Sequence, residues 1–389
     1  MTGIERQILR VAHSCATETR QAVDEIAEQL GGGPWSAVLY FTSVRHRMSE
    51  VASCMLTAFP DAVTVGCTTS GEIGPRGLTR GGISAVALSQ DMRVAALPID
   101  LDAFEFHDGG RVVSELARRL GGARTGLSPD RHVFLTLTDG LSGNGELLVA
   151  SVATHAAGVS LVGGSAGDDH TFASTWVAVD GRAFSRAAVV VLLEPGVPFE
   201  AFHVHHFTPT DRRLVVTKAS PQRRLVHEID GWPAVEVIAE LLGLPVAELA
   251  RDPIGVLARQ PGAFAFRIGD AWFLRAVMTV CDGSLLMGGA VEEGMVLRWM
   301  RRGDLVEATR RGVGRVTRSA PAAGMLLFNC GGRLLEAEAS GVRDALERAM
   351  CPPDVPAAGF TTYGEQYGPM QVNSTLTGLV FRRVGEGAR

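Results

Sequence analysis

The sequence predicts a mixed α/β protein of two domains, each a mixed sheet flanked by helices and built from related strand–helix–strand units. Two observations carry that expectation. The first is an internal repeat: Gly66-Cys67-Thr68-Thr69-Ser70-Gly71-Glu72 and Gly359-Phe360-Thr361-Thr362-Tyr363-Gly364-Glu365 both read G-x-T-T-x-G-E, and Gly163-Gly164-Ser165-Ala166-Gly167-Asp168 is a weaker third copy. The second is that each copy ends a block of the same layout. An apolar, strand-like run at 37–41, 133–137 or 325–328 is followed by a helix-sized stretch and then by the turn. Further strands follow the turns, at 83–88, at 175–179 and 187–193, and at 375–381. Glycine in the turns allows positive φ and close backbone approach.

In chain order, residues 1–34 read as an N-terminal helical extension of two amphipathic segments. Val23, Ile26 and Leu30 make one stripe, and Gly31-Gly32-Gly33 stops the helix. Glu5, Arg6 and Arg10 break up any signal-peptide core. Residues 35–222 form the first domain, holding two copies of the unit, and 223–384 the second, holding one. Near that boundary 214–217 and 225–229 read as a strand pair joined through Pro221. Asp230 then caps a helix striped by Val235, Ile238, Ala239 and Leu242. No Pro/Ser linker intervenes, so the domains are expected to pack rigidly.

Composition narrows the function. Of 389 residues 46% are apolar, which excludes a disordered chain. With 37 basic and 42 acidic residues the net charge is −5, and only 6% are aromatic, so no nucleic-acid partner is expected. The longest apolar run, 187–193, is too short to span a bilayer, and the expected location is the cytoplasm. Lys218 is the single lysine and has no glycine-rich loop beside it, which excludes a Walker-type phosphate loop and Schiff-base chemistry. Six cysteines lack C-x-x-C spacing, and there is no G-x-S-x-G elbow or H-E-x-x-H pair. The expectation is therefore a binding protein and not an enzyme.

Several groups are candidates for binding. Phe202-His203-Val204-His205-His206-Phe207, read as one strand, places Phe202, Val204 and His206 on one face and His203, His205 and Phe207 on the other. An apolar face ending in one imidazole suits a haem pocket. A three-histidine zinc site and a plain half-exposed strand are the alternatives. Glu72, Asp168 and Glu365 either accept backbone N–H bonds within their turns or line a shared cleft with Cys67 and Thr68. An enzyme using Cys67 or Glu365 is a further alternative. Cys351-Pro352 reads as a loop after a helix at 341–350, and 139–145 as a glycine-rich loop without a phosphate fingerprint.

The motif Gly66-Cys67-Thr68-Thr69-Ser70-Gly71-Glu72-Ile73-Gly74 resembles the N-terminal half of FIST-domain proteins. The segments 325–333, 359–368 and 373–377 are similar to that family's C-terminal signature. The resemblance spans about residues 35–382. It implies a sensory module that binds a small ligand, such as an amino acid, and signals to a separate protein. It is most similar to a bacterial subgroup that binds haem b, senses nitric oxide and partners with a histidine kinase in two-component regulation, through His206-Phe207-Thr208-Pro209-Thr210 and Gly364-Glu365-Gln366-Tyr367-Gly368-Pro369. On that resemblance His206 is the axial iron ligand, with His205 next and Phe202, Val204 and Phe207 around the haem. Self-association into a homo-oligomer is compatible with it. One departure is Gln371-Val372-Asn373, where FIST C-termini often place a histidine.

Overall fold

A computed structural model describes residues 7–156, 158–259 and 262–383; the expectations for residues 1–6 and 384 lie outside them. The mixed α/β class with helix-flanked mixed sheets is borne out. Three copies of one unit surround a shared core, and the third carries an insertion. In the first unit the strand Leu9–Ser14, the helix Thr19–Leu30, the strand Trp35–Ser43, the helix Met48–Ala58 and the strand Val63–Thr69 lead to a hairpin, Glu72–Gly74 with Gly77–Thr79, and a closing strand Ile83–Ser89. The second unit repeats this with Arg93–Asp100, Val133–Thr138, Ser160–Ser165, the hairpin Val177–Phe184 and Ala187–Glu194. The third does so with Phe199–Val204, Ala322–Cys330, Ala357–Thr362, the hairpin Glu365–Val372 and Leu376–Arg382. In every unit the two middle strands are parallel and the outer ones antiparallel.

Each hairpin leaves its own sheet. The first unit's hairpin extends the third unit's sheet (Gly359 opposite Ile73), the second unit's extends the first sheet (Ala178 opposite Gly66), and the third unit's extends the second sheet (Gln366 opposite Gly163). The inner sheet faces meet in one core that takes Phe41 and Val65 from the first unit, Leu135 and Val162 from the second, and Phe328 and Phe360 from the third; Phe41 and Phe360 stack at 5.0 Å. Helices cover the outer faces in three separate clusters.

The glycine that opens each repeated turn is required by close approach. A Cβ on Gly66 would overlap the Tyr40 ring, and one on Gly359 would overlap the Leu327 carbonyl oxygen of the neighbouring strand. Neither residue has positive φ, so of the two reasons expected for these glycines only proximity applies here.

Two expectations about the chain's organisation change. The first half of the predicted N-terminal helical extension is the strand Leu9–Ser14, in which Leu9 is buried against the core and Arg10 is exposed; it pairs with Ile83–Ser89 and belongs to the first unit. The segment 202–207 is not one strand. Phe199–Val204 ends the third unit's edge, His205 and His206 cross over, and Phe207–Ser220 begins another sheet. That sheet is wholly antiparallel, contains strands between Phe207 and Arg302, and has its own core with the helix Ala234–Leu242. It is an insertion at the first strand-to-helix connection of the third unit. The expected division at 222/223 falls between two of its paired strands, Phe207–Ser220 and Leu225–Ile229. Asp230 does not cap the following helix: its carboxylate accepts the Val215 N–H, and its φ is 52°.

Candidate functional site

The insertion is tied to the body at two places. At the crossover, His206 Nε2 lies 2.9 Å from Glu336 Oε2, with Arg302 3.7 Å from the other carboxylate oxygen, and Gly303 N donates to the His206 carbonyl at 2.7 Å. At the far side, Arg275, 2% exposed, donates to Glu146 Oε1 (2.7 Å) and to the Gln371 carbonyl (2.5 Å), while Ala290 N donates to Glu146 Oε2 (2.7 Å). Gln371 Nε2 donates to the Gly288 carbonyl at 2.7 Å, and Asn373 Oδ1 accepts from Ala276 N at 3.4 Å. The Gln371-Val372-Asn373 departure from the family pattern is thus where the insertion docks. Removing one partner of a buried pair such as Arg275–Glu146 costs about 3–5 kcal/mol.

Between these ties lies a cavity of about 120 Å³. The insertion contributes apolar walls, chiefly Phe207, Phe264, Met278 and Trp299. The body contributes the start of the helix Gly331–Ala339, then Glu336, Tyr363 and Ser374, and His170 and Phe172 from the second unit. His170 and Phe172 sit on a stretch the other two units lack. In the first and third units the hairpin starts directly after the turn. In the second, residues 168–176 intervene, and Asp169, His170 and Phe172 have φ of 56°, 62° and 52°. Such conformations cost on the order of 1–3 kcal/mol each.

Asp168 holds this stretch: it accepts from the N–H groups of Phe172, Ala173 and Ser174 (3.0, 2.6 and 2.9 Å) and from the Tyr363 hydroxyl. Burial pushes its carboxyl up, but these hydrogen bonds outweigh burial and leave it below the ordinary range. Phe172 stacks on Tyr363 at 5.0 Å, and His170 lies 5.7 Å from the same ring. Burial, then the nearby Arg80, lowers His170 to about 4, so the imidazole is neutral at pH 7; its Nε2 is buried without a partner.

The other expected residues are placed as follows. Glu72 and Glu365 face into their own turns. Glu72 accepts from Thr69 Oγ1 (2.6 Å) and Gly82 N (3.1 Å); Glu365 accepts from Thr362 Oγ1 (2.5 Å) and Thr375 Oγ1 (2.7 Å). Burial raises both to about 7. Neither lines the cavity, and Thr68 Oγ1 is taken by the Trp176 N–H. Cys67 is fully buried in the shared core, and burial raises its thiol well above the ordinary value, which leaves no nucleophile there. Cys351 is raised to about 12 by the same cause, and the Asp139 carboxylate of the glycine-rich loop is occupied by Thr175 and by backbone N–H groups.

A haem on His206 does not fit the residues present. Phe202 and Val204 are packed with Leu305 and Val313 and do not line the cavity; the His206 side chain is fully buried, its Nε2 is engaged by Glu336, and it does not line the cavity either. Its Nδ1 is unpartnered, and Phe207 lies over its ring at 4.3 Å. His205 Nδ1 accepts the Phe207 N–H at 3.3 Å. Among the described residues no group of three or more metal-ligating side chains converges.

Sequence reasoning missed His170, Phe172, Phe264 and Trp299. For the first two a signal existed: the second copy of the repeat departs from the G-x-T-T-x-G-E pattern, and Asp168-Asp169-His170-Thr171 follows where a hairpin strand is expected.

The FIST N domain matches residues 36–232 and the FIST C domain matches residues 234–368. An uncharacterized protein of Methanocaldococcus jannaschii is 22% identical over 240 residues, which cover 60% of this chain and 46% of that one, so the match spans less than half of that relative. A solved structure of a cyanuric acid hydrolase from A. caulinodans is similar over 96% of this chain and 99% of its own, at 10% identity and a TM-score of 0.36. The expectation that the chain is not an enzyme is withdrawn: this similar structure is that of a hydrolase, and a likeness at that level assigns this chain neither an activity nor the lack of one. Among the described residues no helix is long and apolar enough to cross a membrane. With both domains matched in order and the first covering half of its length, the chain belongs to the FIST family.

Proposed function

We propose that this protein is a sensory module in which a small ligand occupies the cavity between the insertion and the three-unit body and biases how the insertion is held. The observation that carries this reading is the composition of the cavity wall: it runs from Glu336 and Phe207 at one tie to Ala276 and Asn373 at the other, so an occupant touches both bodies. A ligand shifts such an equilibrium only by its differential affinity for the two arrangements. The output is contact with a separate signalling protein, for which a histidine kinase is the proposed partner.

A thermal-shift screen of metabolites tests the reading. A ligand at a hundred times its dissociation constant adds about 2.7 kcal/mol of stability. The expected result is a class of compounds that raises the melting temperature of the wild type but not of Ala263→Phe, which fills the cavity. A shift that persists in the filled variant would place the ligand elsewhere and refute the reading. The haem and nitric-oxide version requires the His206–Glu336 pair to open. A Soret band that moves with nitric oxide in the wild type and is lost in His206→Ala would support it; protein that stays colourless in excess haem would end it.

A further inference from the structure

We infer that the cavity takes a monocyclic aromatic compound bearing one uncharged hydrogen-bonding group, a phenol in the simplest case, with His170 Nε2 as the atom that reads that group. The inference rests on the cavity being the sensory site. Four observations support it. The space is about 120 Å³, close to the ~150 Å³ apolar cavity known to hold one benzene, so a single ring fits. The walls are aromatic from both bodies: Phe172 and Tyr363 stack at 5.0 Å on one side, and Phe264 and Trp299 meet edge-on at 5.3 Å on the other. Aromatic walls of this kind favour a flat π-face.

The polar inventory then decides the charge of the occupant. Among the described residues of the wall the one carboxylate, Glu336, already faces His206 and Arg302. The helix Gly331–Ala339 turns its N-terminus toward the cavity, which by itself favours an anion. Against that, the Glu336 carboxylate on the same helix also lines the cavity. His170 is neutral and supplies no counter-charge. An anionic ring would bring a charge out of water beside Glu336, and among the described residues that line the cavity there is no arginine or lysine to meet it. What remains unsatisfied is Nε2 of His170, held toward Tyr363 and Gly331 on a strained backbone that the Asp168 hydrogen bonds maintain. Strain concentrated at residues in a cavity wall, next to an unpartnered polar atom, is the pattern of a ligand clamp.

The test is calorimetric titration at pH 7.5 of the full chain with phenol, toluene and benzoate. Phenol is expected to bind about five- to tenfold tighter than toluene, the worth of one neutral hydrogen bond. In His170→Leu phenol affinity should fall to the toluene level while toluene affinity is unchanged, and that second measurement shows the cavity is still formed. Ala263→Phe should abolish both. Benzoate binding as tightly as phenol, or phenol affinity unchanged in His170→Leu, overturns the assignment. If none of the three probes binds while the metabolite screen still finds a compound lost in Ala263→Phe, the ligand class is refuted and the sensory reading stands.

Discussion

The turn after Thr69 and the stretch after Ala166 begin from equivalent strand ends and finish with opposite designs. In the first, Glu72 is satisfied by the threonine three residues before it and by Gly82 N, and the chain passes directly into a hairpin. The third unit repeats this with Thr362, Glu365 and Thr375. In the second unit the carboxylate is Asp168, its acceptor positions are filled by a loop it folds around itself, and that loop presents His170 and Phe172 to the cavity. A closed turn makes scaffold; a lengthened one makes a surface that a ligand can meet. The second departure from symmetry, the insertion in the third unit, supplies the opposite wall. The candidate site therefore lies where two of the three copies break the pattern.

The largest expected effect breaks the feature all three copies share. Gly359→Ala drives a Cβ into the Leu327 carbonyl, which neither strand can yield without losing its parallel register, and should cost about 3 kcal/mol or more in chemical denaturation. Asp168→Asn should cost about 2 kcal/mol, because a charged acceptor of several hydrogen bonds is replaced by a group with one acceptor oxygen. Hydrogen exchange should localise the loss to 169–174 and leave the first and third turns protected; loss spread evenly over all three would deny that the loop is a separate device.

The pH dependence distinguishes the two designs by sign. Glu72 and Glu365 bind a proton more tightly folded than unfolded. Their contribution is present at pH below the ordinary glutamate range and is lost as pH rises through about 7. Asp168 is depressed, so its contribution is present above the ordinary aspartate range and is lost as pH falls through its folded value. Glu72→Gln or Glu365→Gln should flatten the decline in stability between pH 5 and pH 8, by about 1–2 kcal/mol, and Asp168→Asn should flatten the acid limb instead. Melting curves from about pH 2 to about pH 8 would show whether the two mutants act on the same limb, which would erase the distinction.

Much of the scaffold was legible in the sequence because it repeats. G-x-T-T-x-G-E located the turns, the apolar runs located the parallel strands, and Val23, Ile26 and Leu30 located a helix that is buried as expected. What was not legible depends on partners distant in the chain. Phe202 and Val204 alternate correctly but pack under the helix Leu305–Arg318, and the run of histidines straddles two sheets because the insertion departs at that point. His206 meets Glu336 130 residues away, a contact that no local pattern encodes. The hairpins look, in sequence, as though they complete their own sheets; only the pairing of Ile73 with Gly359 reveals the exchange.

That exchange has a consequence for assembly. Each unit lends a hairpin to one neighbour and receives one from the other, so the three are linked in a closed cycle of donations. No unit can complete its sheet before the others are present, and the polypeptide must bring residues near 73 to residues near 359 before the ring closes. Such distant pairings slow folding and leave strand edges uncovered until the last donation is made. The two family domains are consecutive in sequence yet interlocked in space: cut apart, each would hold an edge strand whose partner is on the other piece.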